Sequence, residues 1–171
     1  MHPRARQRRD RERGAALVEF AIVFPLLVLL LSGIIDFGMA FSNLNAARQG
    51  VREGARQAVV ANLDSDGTCT ILGGGTMADA TRKVICMTKS RIGLPEADTR
   101  VMVAFGGTNQ VGDSLLVCAQ YPLTSATGVF EPVMDGRALT SKVEMRIEKT
   151  DLALTAGAES ALPGEDWSWC V

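Results

Sequence analysis

The sequence predicts an α+β protein in which a long N-terminal transmembrane helix continues outside the membrane and packs on a small antiparallel sheet. Three observations carry this expectation: an apolar run from Ala15 to Phe41, a helical apolar stripe that continues from Ser42 to Asn62, and three segments of alternating apolar residues beyond Arg100. A chain of 171 residues has room for one anchor and one small domain, not two. The expected divisions are a basic cytoplasmic leader (1–14), a membrane helix (15–41), a helix extension (42–62) and an extracytoplasmic α+β domain (63–171).

The leader holds Arg4, Arg6, Arg8, Arg9, Arg11 and Arg13 against Asp10 and Glu12, while the whole chain has a formal charge of −1, so the remainder is acidic. Clustered arginines also suit a nucleic-acid arm. These stand directly before an apolar run, where positive residues hold the end of a membrane segment in the cytoplasm, so the expected contact is a lipid surface and no nucleic-acid partner is expected.

Between Ala15 and Phe41 the only charges are Glu19 and Asp36. A helix of that length rises roughly 40 Å, enough for a hydrocarbon core of about 30 Å with overhang. A removable signal peptide fits poorly, because its apolar core would be about 7–15 residues and would end at a small-residue cleavage site. A permanent anchor and a cleavable leader followed by a mature helix both remain. Glu19 bears on the choice. A carboxylate costs about 2.5–3.5 kcal/mol at the bilayer centre and less near an interface, so it calls for a partner. Cleavage between Gly14 and Ala15 would create an α-amine on a neighbouring subunit able to neutralise Glu19. Solvation at head-group depth, near the positive end of the helix, is the other reading, and the residues alone leave both open. Pro25 removes one backbone hydrogen bond and is expected to kink or loosen the helix. Asp36 falls at the outer head-group level and reads as a solvated interfacial carboxylate, a contact with a partner helix being the alternative.

The string from Gly14 to Arg56 resembles the TadE-like pseudopilins of tight-adherence (Flp-type) pilus assembly. Gly14, Glu19-Phe20, Pro25, Asp36-Phe37-Gly38 and Glu53-Gly54-Ala55-Arg56 carry the resemblance. It implies cleavage after Gly14 by a prepilin peptidase, an assembly role for Glu19, and a pilin-like fold. It also implies other pilins or pseudopilins and the Tad assembly machinery as partners. Flp major pilins have Tyr after the Glu and little beyond the helix, so Phe20 and the large C-terminal domain imply a minor component. The implied location is the cytoplasmic (inner) membrane, single-pass, with the N-terminus cytoplasmic and incorporation into a surface pilus. The competing expectation is an uncleaved membrane-anchored extracytoplasmic binding or adaptor protein.

In the extension, Leu44, Ala47, Val51, Ala55, Ala58 and Val59 share one face. Ala46, Gly50 and Gly54 recur every four residues, a stripe that admits another backbone, either the protein's own sheet or a second subunit. Asp64-Ser65-Asp66-Gly67 lacks the downstream ligands of a calcium loop and reads as a turn. Gly73-Gly74-Gly75 reads as a flexible connector. Thr76 and Asp79 suit the cap of a helix from Met77 to Arg91, ended by Gly93 and Pro95. Strands follow on Val101, Val103 and Phe105, on Leu115, Val117, Ala119 and Tyr121, and on Val143, Met145 and Ile147, whose other face is Lys142, Glu144, Arg146 and Glu148. The stretch from Pro122 to Ala138 reads as a long exposed loop.

All four cysteines, Cys69, Cys86, Cys118 and Cys170, fall outside the membrane helix. Two disulfides are expected in an oxidising compartment, and of three connectivities the preferred one is Cys69–Cys86 with Cys118–Cys170. The spacing fits no zinc motif, so no metal or other cofactor is expected. The only histidine is His2. No histidine-based chemistry is therefore expected in the outer domain, and the expectation is a non-enzyme without catalytic residues. Trp167 and Trp169 carry no assignment.

Overall fold

The computed structural model describes residues 4–63, 68–149 and 154–171, with side chains from Ala16 onward. The leader's side chains, His2 and the Asp64–Gly67 turn lie outside the described residues.

One helix, α1, runs over Arg4–Val59 and passes Pro25 without a break. The missing N–H of Pro25 leaves the Ala21 carbonyl without its helical donor. The outer end of α1 buries Ala47, Val51, Ala55, Ala58 and Val59 in the core. Helix α2 (Asp79–Ile92) packs across it. Gly50 and Gly54 make that crossing close: a Cβ at Gly50 would overlap Ile92, and one at Gly54 would overlap the Thr88 hydroxyl. The small-residue stripe is thus filled by α2, neither by the sheet nor by a second subunit.

Strands β1 (Arg100–Phe105), β2 (Ser114–Pro122), β3 (Ala138–Arg146) and β4 (Gly157–Ala158) form one sheet in the order β3-β2-β1-β4, with every pairing antiparallel. Val103 lies opposite Val117, which lies opposite Val143. Val101, Val103, Leu115, Val117 and Ala119 face α1 and α2, joined by half-buried Val143 and Met145. This α+β arrangement is the expected one.

Four local expectations are corrected. No Thr76 cap forms: α2 starts at Asp79 behind Ala78 without a side-chain cap, though Gly93 ends it in the left-handed conformation. The Gly73–Gly75 stretch is a packed turn, in which a Cβ on Gly73 would meet Ser160 and one on Gly74 the Ala158 carbonyl. Strand β4 has too few residues to show an alternating pattern. β2 is buried on both faces, with Cys118 and Gln120 on its outer face held beneath the C-terminal segment. There the Gln120 amide donates to the Asp166 carbonyl (2.7 Å) and accepts from the Leu162 N–H (3.1 Å). Disulfides join Cys69 to Cys86 and Cys118 to Cys170, the second pinning this segment to β2.

A buried ion pair ties the layers together. Lys89 Nζ lies 2.7 Å from Glu159 Oε1, with neither side chain exposed. The ammonium also donates to the carbonyls of Thr70 and Glu96. The carboxylate accepts from the N–H groups of Leu72 and Val101, each at 2.9 Å. Every charge-bearing atom is thereby paired, as a buried ion pair requires.

Candidate functional site

The candidate site is the stretch of α1 from Ala16 to Arg56, which contains three zones. From Ala16 to Leu31 the helix is exposed on every side, with Leu17, Ile22 and Leu26 each about two-thirds accessible. An apolar helix that buries none of its sides in its own domain requires lipid or other apolar helices around it. This is the one stretch among the described residues long and apolar enough to cross a membrane. Phe20 and Phe24 stack along it with ring centroids 5.2 Å apart. Glu19 is exposed and forms no hydrogen bond or ion pair with another described residue. The Gly14–Ala15 bond lies about one turn earlier, in helical backbone.

The second zone, Ser32 to Phe37, touches the domain. The β2–β3 connection, read from sequence as exposed, descends onto the helix and encloses Asp36 completely. Asp36 Oδ1 accepts the N–H groups of Ala126 and Thr127, both at 2.9 Å. Its Oδ2 accepts the hydroxyls of Ser125 (2.6 Å) and Thr127 (2.7 Å). Each hydroxyl is in turn oriented by a backbone donor, Gly128 N–H to Ser125 Oγ and Val129 N–H to Thr127 Oγ1. Asp36 is therefore neither a solvated interfacial carboxylate nor a contact for a partner helix. A carboxylate in an apolar run needs donors, and this loop supplies four. Beside it the Phe130 ring stands 5.6 Å from that of Phe37 and packs over Gly33. A short helix, α3 (Glu131–Met134), buries Met134 and completes the dock.

Replacing Asp36 by alanine is expected to free the loop, accelerating amide exchange at Ala126 and Thr127 about tenfold or more while α2 and the sheet stay protected. Asparagine should retain much of the protection, because its carbonyl can still accept the two N–H groups and its amide can donate to the two hydroxyls. Hydrogen exchange of the full chain in micelles measures both; unchanged rates in the alanine variant would show that the latch does not hold the loop.

The third zone, Glu53 to Arg56, is also used internally. The Glu53 carboxylate accepts from Arg56 at 2.9 Å and from the Gln57 amide at 2.7 Å. The Arg56 bond, followed by that of Gln57, pulls its pKa down to about 2. Gly54 and Ala55 close the contact with α2 and the core. Arg48, Arg52 and Arg56 line the exposed face.

Of the residues singled out from sequence, Asp36 is brought into a constructed contact with the outer domain, while Glu19 and Pro25 stay apart from it. Ser125, Thr127 and Phe130 were missed. The signal was present as an acid inside an apolar run and a Ser-Ala-Thr-Gly stretch in a long connection. Trp167 and Trp169 pack together in the tail, their indole N–H groups bonded to the carbonyls of Glu159 and Asp166.

A family model described as TadE-like protein matches residues 14–56, the segment on which the resemblance rests and about a quarter of the chain. The match associates this segment with Tad pilus assembly. No curated protein and no solved structure matches the chain significantly.

Proposed function

We propose that this protein is a minor pseudopilin-like component of Tad/Flp-type pilus assembly. In this reading a prepilin peptidase cuts it after Gly14 and it assembles through its N-terminal helix, with the outer domain as an extracytoplasmic head. The observation that carries the reading is the division of labour within the matched segment. Its outer elements Asp36 and Gly54-Ala55 are occupied by the protein's own domain, whereas from Ala16 to Leu31 its helix is exposed all round and Glu19 has no partner among the described residues. A stretch kept free in this way suits packing among other subunits' helices, where a neighbour's Ala15 amine would neutralise Glu19 and fix the stagger. The domain would sit outside the inner membrane, capping or templating other pilins or pseudopilins. The second reading, an uncleaved membrane-anchored adaptor, is favoured by the firm dock at Asp36, which holds a head close above an anchor whether or not a filament forms.

Mass spectrometry of the mature N-terminus, on protein expressed with its own secretion machinery, separates the two. A start at Ala15 is expected; an intact leader would overturn processing and leave the adaptor. Glu19→Ala should then abolish incorporation into filaments while membrane levels stay unchanged, and normal incorporation would overturn the assembly role.

A further inference from the structure

The β2–β3 loop ends in an apolar tip whose position is fixed by the Asp36 latch. A hydrocarbon core of about 30 Å entered at Ala16 takes about 20 residues of helix, which brings its outer edge to about Ile35. Phe130 packs over Gly33 and the loop backbone is bonded to Asp36, so the tip reaches that edge. Val129 and Val133, on either side of Phe130, are 48% and 56% exposed. Pro132 between them is exposed too. Phe130 joins them to the span, its ring 5.6 Å from that of the exposed Phe37 and in contact with Gly33, so the apolar tip is continuous with the apolar helix.

We infer that the tip formed by Val129, Phe130 and Val133 enters the head-group/acyl boundary of the outer leaflet as a second membrane contact, orienting the head on the bilayer. Lipid is the occupant because the patch is continuous with the span and lies at the depth where the span meets the lipid surface. Glu131, the one acid among these residues, limits insertion to the interfacial layer, where apolar groups penetrate about 5–10 Å. The inference rests on the membrane-span reading of α1.

The test uses the full chain reconstituted in phosphatidylcholine/phosphatidylglycerol vesicles, with a nitroxide on a cysteine at Val129, Val133, Leu27 or Val111. The four native cysteines are in disulfides and do not compete for label. Leu27 reports the span; Val111, 58% exposed in the β1–β2 turn, is the apolar control. The readout is the ratio of collisions with oxygen to collisions with a water-soluble nickel chelate. Ratios at Val129 and Val133 severalfold above Val111, approaching Leu27, are expected. Ratios equal to Val111 with a high value at Leu27 would overturn the tip contact and leave the span intact. A low value at Leu27 as well would overturn the span reading itself. Protection from both reagents, with spin–spin broadening that vanishes on dilution with unlabelled protein, would assign the patch to a second copy and overturn the lipid contact.

Discussion

Replacing Lys89 by methionine is expected to destabilise the folded domain by about 3–5 kcal/mol, because it leaves the Glu159 charge buried without its counter-ion. Both side chains are fully inaccessible, so water cannot substitute without local opening. Glu159 holds the Leu72 and Val101 N–H groups, and Lys89 holds the Thr70 and Glu96 carbonyls. One broken pair therefore loosens the glycine turn, the start of β1 and the exit from β4 together. Adding Glu159→Leu to Lys89→Met removes the stranded charge but orphans backbone groups at about 1–3 kcal/mol each, so the double variant should regain only part of the loss. Trp167 bonds to the Glu159 carbonyl, so its fluorescence reports this site directly. Denaturant unfolding of the full chain in micelles, followed at that signal, makes the measurement. A loss below about 1 kcal/mol in Lys89→Met would show that water already reaches the pair.

The same pair shows where sequence reading stops. Lys89 lies in a helix with charged neighbours at Lys83 and Arg91 and has no local mark of burial. Its partner lies 70 residues away, next to a strand of two residues. The long helix and three of the strands were legible because each repeats a local period against one core. Gly50 and Gly54 were legible as a close approach, but not as an approach by α2, since smallness states how near a neighbour comes and not which neighbour. Asp36 was legible as an anomaly, an acid among apolar residues, while its answer came from hydroxyls and amides about 90 residues on. Burial of Cys118 and Gln120 was hidden because an irregular tail, without periodicity of its own, lies over them on the outer face of β2. For the candidate site the asymmetry is reversed: Glu19 stood out in the sequence, and the fold adds that its own domain offers it nothing.

Removing Cys118–Cys170 is expected to cost more than removing Cys69–Cys86. The sequence separations are 52 and 17, and loop-closure entropy assigns about 4 kcal/mol to the longer loop and about 3 kcal/mol to the shorter. The longer bridge also has a structural consequence that the entropy does not include. Cys118 and Cys170 are both fully buried, and the bond holds the tail over β2. Without it Gln120 faces water, and the Trp167–Trp169 pair loses its footing. Paired Cys→Ala variants of the full chain, unfolded in micelles, should give a lower midpoint for the Cys118/Cys170 variant, with enhanced exchange along the β2 edge of the tail. In the Cys69/Cys86 variant the change should stay near the glycine turn and α2. Equal losses would mean that the hydrogen bonds of Gln120 hold the tail unaided. Both bridges belong to the domain that the proposed orientation puts outside the cytoplasm, so the stability they contribute would be available only where thiols are oxidised, and reductant should weaken the head while leaving the exposed N-terminal part of α1 helical.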